Sequence, residues 1–138
     1  MDWMECYKKG FVKEISWDKG KFTSFLEIKE SKIEAAEVLP EKFYYSKITL
    51  LYDALRILLE IIALKNGYKI YNHECYTAFL KEILNLSREA DEFDKIRKIR
   101  NSINYYGKKI SIEEGKLVIK KIKELIKRFE KLLKVRKG

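Results

Sequence analysis

Proline interrupts this chain once, at Pro40, and glycine occurs only six times in 138 residues. Proline lacks the backbone donor that a helix interior needs, and glycine is the next strongest breaker. Their scarcity leaves long stretches in which a helix meets no obstacle, and apolar residues recur there at helical spacing. No alternation of period two survives for more than a few residues. The expected class is all-α: an antiparallel up-down bundle of four to five main helices, with residues 1–138 forming a single domain. An apolar fraction of 46% supplies a core for a chain of this length.

The punctuation predicts the elements. A short first helix spans Asp2 to Lys9 and ends at Gly10. Ser16 is placed to cap a second helix running to about Leu39, on which Phe22, Phe25, Leu26, Ile33 and Ala36 recur at helical spacing. A third helix, Tyr44 to Lys65, stops at Asn66-Gly67; it is apolar almost all round and should be the most buried. Its exception is a polar stripe of Ser46, Thr49, Asp53, Arg56 and Glu60. Asn72 caps a short fourth helix to about Leu84, and Ser87 a fifth to about Tyr105, stopped by Gly107. Ser111 with Glu114 makes a capping box for a last helix to about Val135, whose seam is Val118, Ile122, Leu125, Phe129 and Leu132.

Composition excludes several chemistries. Cys6 and Cys75 are too few for a disulfide framework or a four-cysteine zinc site, and His73 is the only histidine, so no metal site and no cofactor are expected. Met1 to Lys9 lacks the apolar stretch of a signal peptide. Asp53, Arg56 and Glu60 break up the most apolar segment, Ile48 to Leu64, which therefore reads as a core helix and not a membrane span. The chain reads as cytoplasmic, without a membrane partner. Absence of glutamine beside abundant Lys, Glu and Ile resembles the bias of thermophile proteins.

The net charge of +9 is unevenly spread. From Lys108 to Gly138 there are 12 Lys or Arg against 4 acids, and the preceding residues hold 18 against 17. Lysines 116, 120, 123, 127, 131 and 134 form a band along the last helix. Such a band is either a solvated face or a surface that tracks the phosphates of RNA, DNA or a nucleotide. Tyr105 and Tyr106, just upstream, can supply the stacking that nucleic-acid binding favours.

The end of the fifth helix, Lys95 to Gly107, holds the densest polar chemistry. Phe93, Ile96, Ile99, Ile103 and Tyr106 are spaced to face the core, while Arg100, Asn101, Asn104 and Tyr105 fan over an adjoining arc. Arginine holds phosphate bidentately and amides donate or accept around it. The other reading is that these groups cap the helix and bind its loop.

Three stretches together resemble the HEPN family (higher eukaryote and prokaryote nucleotide-binding): Leu51 to Gly67, Asn72 to Tyr76, and Ile99-Arg-Asn-Ser-Ile-Asn-Tyr-Tyr-Gly107. The resemblance covers roughly Met4 to Leu133, and the third stretch, similar to the family's Arg-Asn-x-x-x-His segment, is its most diagnostic part. It implies a helical bundle, often a homodimer. It also implies RNA cleavage, nucleotide binding, or pairing with a small nucleotidyltransferase in toxin–antitoxin modules. Arg100 and Asn101 match the first motif positions, and Tyr105 stands where the family has histidine. A phenol, ordinarily titrating near 10, is a poor base at neutral pH. The expected function is thus nucleotide or RNA binding, or docking of a nucleotidyltransferase, without catalysis. Arg100, Asn101, Asn104, Tyr105, Lys108 and Lys109 are the candidate binding residues, with Asp53 and Glu60 as acids that face Arg100 across the bundle. A metal-independent ribonuclease with an atypical site, and a structural homodimer with no nucleic-acid role, are the alternatives.

Overall fold

The computed structural model describes residues 1–135. Arg136, Lys137 and Gly138, the tip of the basic segment, lie outside them. In chain order the elements are α1 (Trp3–Lys8), β1 (Val12–Glu14), α2 (Lys19–Val38), α3 (Tyr44–Lys65), β2 (Tyr68–Ile70), α4 (His73–Ala78), α5 (Ser87–Tyr106) and α6 (Ile112–Val135). The fold is an all-α bundle, and α2, α3, α5 and α6 are its long members.

Ion pairs give the helix directions. Lys116 meets Glu41 at 2.7 Å, Lys123 meets Glu37 at 2.9 Å and Glu130 meets Lys29 at 2.7 Å, so α6 runs antiparallel to α2. Lys32 reaches Asp53 at 3.6 Å, and Lys65 lies 5.5 Å from the centre of the Phe22 ring, so α3 also opposes α2. Arg128 meets Glu89 at 3.4 Å, setting α5 against α6.

As its sequence predicts, α3 is the most buried helix: from Leu51 through Leu64 only Asp53 and Arg56 escape burial. The polar stripe is therefore not uniform, since Ser46 is exposed and Glu60 is buried. The α6 seam is seated, with Val118, Ile122, Leu125 and Phe129 all buried. Gly115 lets α6 approach the start of α3, because a Cβ there would lie 2.6 Å from Tyr44 Cδ2. The face of α2 is shallower: Phe22, Phe25, Leu26 and Ile33 are half-buried and only Ala36 of that set is buried. Lys29 on the same helix is also buried. Burial by itself would lower its pKa, but hydrogen bonds to Glu130 and Glu30 outweigh that and hold it above the ordinary lysine value.

Several local expectations are corrected. The cap of α2 is Asp18, whose carboxylate accepts from the Lys21 N–H at 3.0 Å. Ser16 lies too early to cap it: β1 pairs antiparallel with β2, Val12 opposite Ile70, the Ile15 N–H still reaches the Gly67 carbonyl at 2.9 Å, and the helix begins only at Lys19. Strands of three residues are too short to leave a period-two signal in the sequence. The expected fourth helix divides into α4, capped by Asn72, and a wider turn of π type over Phe79–Ile83. Ser87 lies inside α5, which begins without a side-chain cap. The capping box of Ser111 and Glu114 forms, with the Glu114 N–H donating to Ser111 Oγ at 3.1 Å.

One cross-link falls outside the sequence reading. Cys6 and Cys75, both fully buried, form a disulfide that fastens α1 to α4. Trp3, on the same short helix, sets its ring 5.2 Å from that of Tyr68 and 5.7 Å from that of Phe79. Among the described residues no helix is long and apolar enough to cross a membrane.

Candidate functional site

The last two turns of α5 carry the candidate residues, and two features set their position. Gly107 closes the helix in the left-handed region (φ 64°), which a side chain would resist. The following loop is pinned to α3, because Tyr44 and Tyr45 both donate to the Ile110 carbonyl at 3.0 Å.

Arg100 is the centre of the arrangement, with 14% of its side chain exposed. Its guanidinium lies between two rings, 5.1 Å from the centre of Tyr52 and 5.4 Å from that of Tyr105. One ring is fully buried; the other is 67% exposed and forms a cover. Nη1 donates to the Tyr105 hydroxyl at 3.0 Å and to Asn101 Oδ1 at 3.3 Å. Nη2 stands 3.9 Å from Asp53, a long contact, and Asp53 also faces Lys32. The buried Nε has no hydrogen-bond partner in the structure. The Nε–Nη2 edge, which grips oxyanions side-on, is therefore the underused side of the group.

Not every candidate joins this centre. Glu60 is held elsewhere, by Arg56 at 2.9 Å, by Lys69, and by the Tyr76 hydroxyl at 3.4 Å. Asn104 and Lys109 are exposed, and Lys108 lines a cleft of about 390 Å³ between the end of α5 and the start of α6. Tyr106, expected in the core, is 84% exposed. Along that side of α5, Phe93 and Ile96 are buried and Ile99 and Ile103 half-buried, so the face runs out of core before Tyr106. In the lysine band, Lys116 and Lys123 pair with Glu41 and Glu37, while Lys120, Lys127, Lys131 and Lys134 are exposed.

Sequence reasoning left four residues out of the candidate site that interact around Arg100: Tyr52, Arg56 (placed only in the polar stripe), His73 (noted only as the single histidine) and Arg97. The Tyr52 hydroxyl lies 3.2 Å from His73 Nδ1. Burial pushes that phenol up to about 12, against the pull of Arg100, Arg97 and Arg56. It therefore stays protonated and can donate to Nδ1, which puts the neutral ring's own proton on Nε2. The His73 pKa is held below the ordinary value, first by burial and then by Arg56, Arg100 and Arg97, with Asp53 opposing. Spacing alone could have linked Arg97 to Arg100, three residues apart, and Tyr52 to Arg56, four apart. Nothing in the sequence ties His73 to them, because it arrives on a different helix.

Among the described residues no three His, Cys, Asp or Glu side chains gather so as to hold a metal ion. Compared with known proteins, the chain matches no family model and shows no significant similarity to a curated protein or a solved structure.

Proposed function

We propose that the chain is a HEPN-like nucleotide- or RNA-binding protein that does not cleave its ligand. In this reading it works beside a small nucleotidyltransferase in a toxin–antitoxin-like module, as a cytoplasmic homodimer of a heat-adapted source. Buried disulfides persist in the cytoplasm of such organisms, so the Cys6–Cys75 bridge is compatible with that placement.

One observation carries the binding reading. Arg100 is fixed between two tyrosine rings, with its Nε unpartnered and its nearest carboxylate at 3.9 Å. A buried donor without an acceptor is unfavourable by roughly 1–3 kcal/mol, and a phosphate oxygen would relieve this once a shift of the guanidinium opens the sealed Nε to it. Tyr105, largely exposed, offers a face on which a base can stack. It accepts a hydrogen bond from Arg100, a role suited to holding the cation rather than to abstracting a proton.

Fluorescence anisotropy with single-stranded RNA tests this. Binding should be weak and salt-sensitive, with a log–log slope of roughly −3 to −4 if about four phosphates are contacted. Tyr105→Ala should weaken it at every salt concentration without changing that slope. RNA that fails to bind at low salt leaves the lysine band as a solvated face. RNA cleavage in chelator, abolished by Tyr105→Phe, would overturn the non-catalytic assignment. Light scattering at high micromolar concentration tests the homodimer, and a strict monomer excludes it.

A further inference from the structure

Three carboxylates on α3 and α5 are each shared between two cations. Asp53 faces Lys32 at 3.6 Å and Arg100 at 3.9 Å. Glu60 takes Arg56 at 2.9 Å and also Lys69. Asp94 takes Arg97 at 2.8 Å and Lys98 at 3.1 Å. On the uncharged His73 imidazole and Tyr52 phenol themselves act three guanidiniums and one carboxylate, Asp53, a formal excess of two positive charges. The guanidiniums of Arg56, Arg97 and Arg100 act on the same two rings, those of His73 and Tyr52. They arrive from two helices: Arg56 from α3, Arg97 and Arg100 from successive turns of α5. Their side chains are 28%, 14% and 14% exposed, within reach of a ligand yet poorly screened by water. Like charges held together at a half-covered surface repel one another, and an anion placed among them removes that repulsion.

We propose that this face, where α3 and α5 meet the start of α4, binds a terminal phosphate, the phosphomonoester end of a nucleotide or RNA. Arg56, Arg97 and Arg100 hold its oxygens and His73 supplies an N–H. The assignment rests on the nucleotide- or RNA-binding reading and extends it to the part of the ligand that is held. A terminal phosphate suits the cluster better than an internal one for two reasons. The three guanidiniums act on the same two rings instead of lining a track. A phosphomonoester carries about −1.5 to −2 at neutral pH, against −1 for each internal phosphate, so it answers a focal excess of charge. Arg100 contributes the Nε–Nη2 edge described above. His73 is exposed as a residue although its ring is partly desolvated; Nδ1 is engaged by Tyr52, which leaves the opposite nitrogen as donor.

His73 is the only histidine in the chain, so its ring protons give isolated NMR signals. The other charged groups that act on it are Arg56 and Asp53 from α3 and Arg97 and Arg100 from α5; Tyr76, 6.3 Å away on α4, adds a ring contact. The experiment is a pH titration of those signals in the full chain, in sodium chloride and then in inorganic phosphate at matched ionic strength. A dianion beside the ring favours imidazolium, so the midpoint should rise by about half a unit or more in phosphate. A midpoint that is the same in both salts overturns the proposal. Adenosine 5′-monophosphate should reproduce the shift, whereas adenosine and a dinucleotide with only an internal phosphate should not. An equal shift from the dinucleotide overturns the preference for a terminal group. Arg56→Gln, in which Glu60 keeps Lys69, should raise the midpoint in chloride and shrink the phosphate response; an unaltered response removes Arg56 from the site. RNA that binds through Tyr105 while His73 stays unmoved by phosphate sinks this site and leaves the broader reading intact. A phosphate shift without binding of mononucleotide or RNA does the reverse.

Discussion

Arg100 stands on a balance between folding and binding. It is partly buried, but its carboxylate neighbour is distant and shared with Lys32, and one of its donors is unsatisfied. Arg100→Ala forfeits stacking on Tyr52 and the Tyr105 hydrogen bond, yet it also removes the unsatisfied donor and leaves Asp53 with Lys32. The expected loss of stability is only about 1–2 kcal/mol, while RNA affinity should fall tenfold or more. Chemical denaturation beside anisotropy separates the two; a fold lost together with binding would make Arg100 structural. His73 sets a pH dependence whose sign follows from its depressed pKa. The unfolded chain takes up the proton more readily than the folded one. Its contribution is therefore complete above the ordinary histidine value and is lost as pH falls through the depressed one. Urea midpoints should decline from about pH 7 to about pH 5, and His73→Gln should flatten that decline. Asp94 stays out of this window. Burial would raise it, but hydrogen bonds from Arg97 and Lys98 outweigh that and keep it low, so it gives way only in more acid solution.

Among the elements, α3 and α6 show how one small residue sets a helix approach. Alanine at position 115 should favour the helix by about 1 kcal/mol on intrinsic propensity. Its Cβ would meet Tyr44 Cδ2 at 2.6 Å, however, and the Tyr44 hydroxyl is tied to the Ile110 carbonyl. The ring cannot step aside without loosening the loop that follows the candidate site. Gly115→Ala should therefore destabilise the protein by about 1–2 kcal/mol, as overpacking does. In a Tyr44→Ala background the same change should become neutral or stabilising. Thermal or urea unfolding of the four proteins reads the coupling, and a simple sum of the two effects would refute it. The α6 seam was legible because 3.6-residue periodicity and a capping box point to one face. That Lys116 and Lys123 are drawn toward acids of α2 and the turn after it was not, since periodicity does not say which helix lies alongside.

Over the whole molecule, the disulfide joins residues 69 apart in sequence and holds α1, a helix of six residues, onto α4. Closing so long a loop restricts the unfolded chain, and the loop-entropy model assigns this about 4 kcal/mol. Replacing Cys6 and Cys75 together with alanine should lower unfolding free energy by an amount of that order. A reductant should lower the wild-type urea midpoint and leave the double variant unchanged. Equal midpoints with and without reductant would show that the core alone secures α1.

What the sequence by itself determined was the all-α class, the long helices and the central place of α3, because these follow from local rules: scarce breakers, capping residues and the period of apolar side chains. Arg100, Asn101 and Tyr105 were also within reach, lying within six residues on one helix. Only the tertiary structure decided that Glu60 belongs to Arg56 and Lys69, that Tyr106 overhangs the core, that Cys6 meets Cys75, and that His73 and Tyr52 stand beside three arginines. Each of those outcomes depends on how separate helices are set against one another. That relation is fixed by the packing of the whole core, and no spacing within a single helix encodes it.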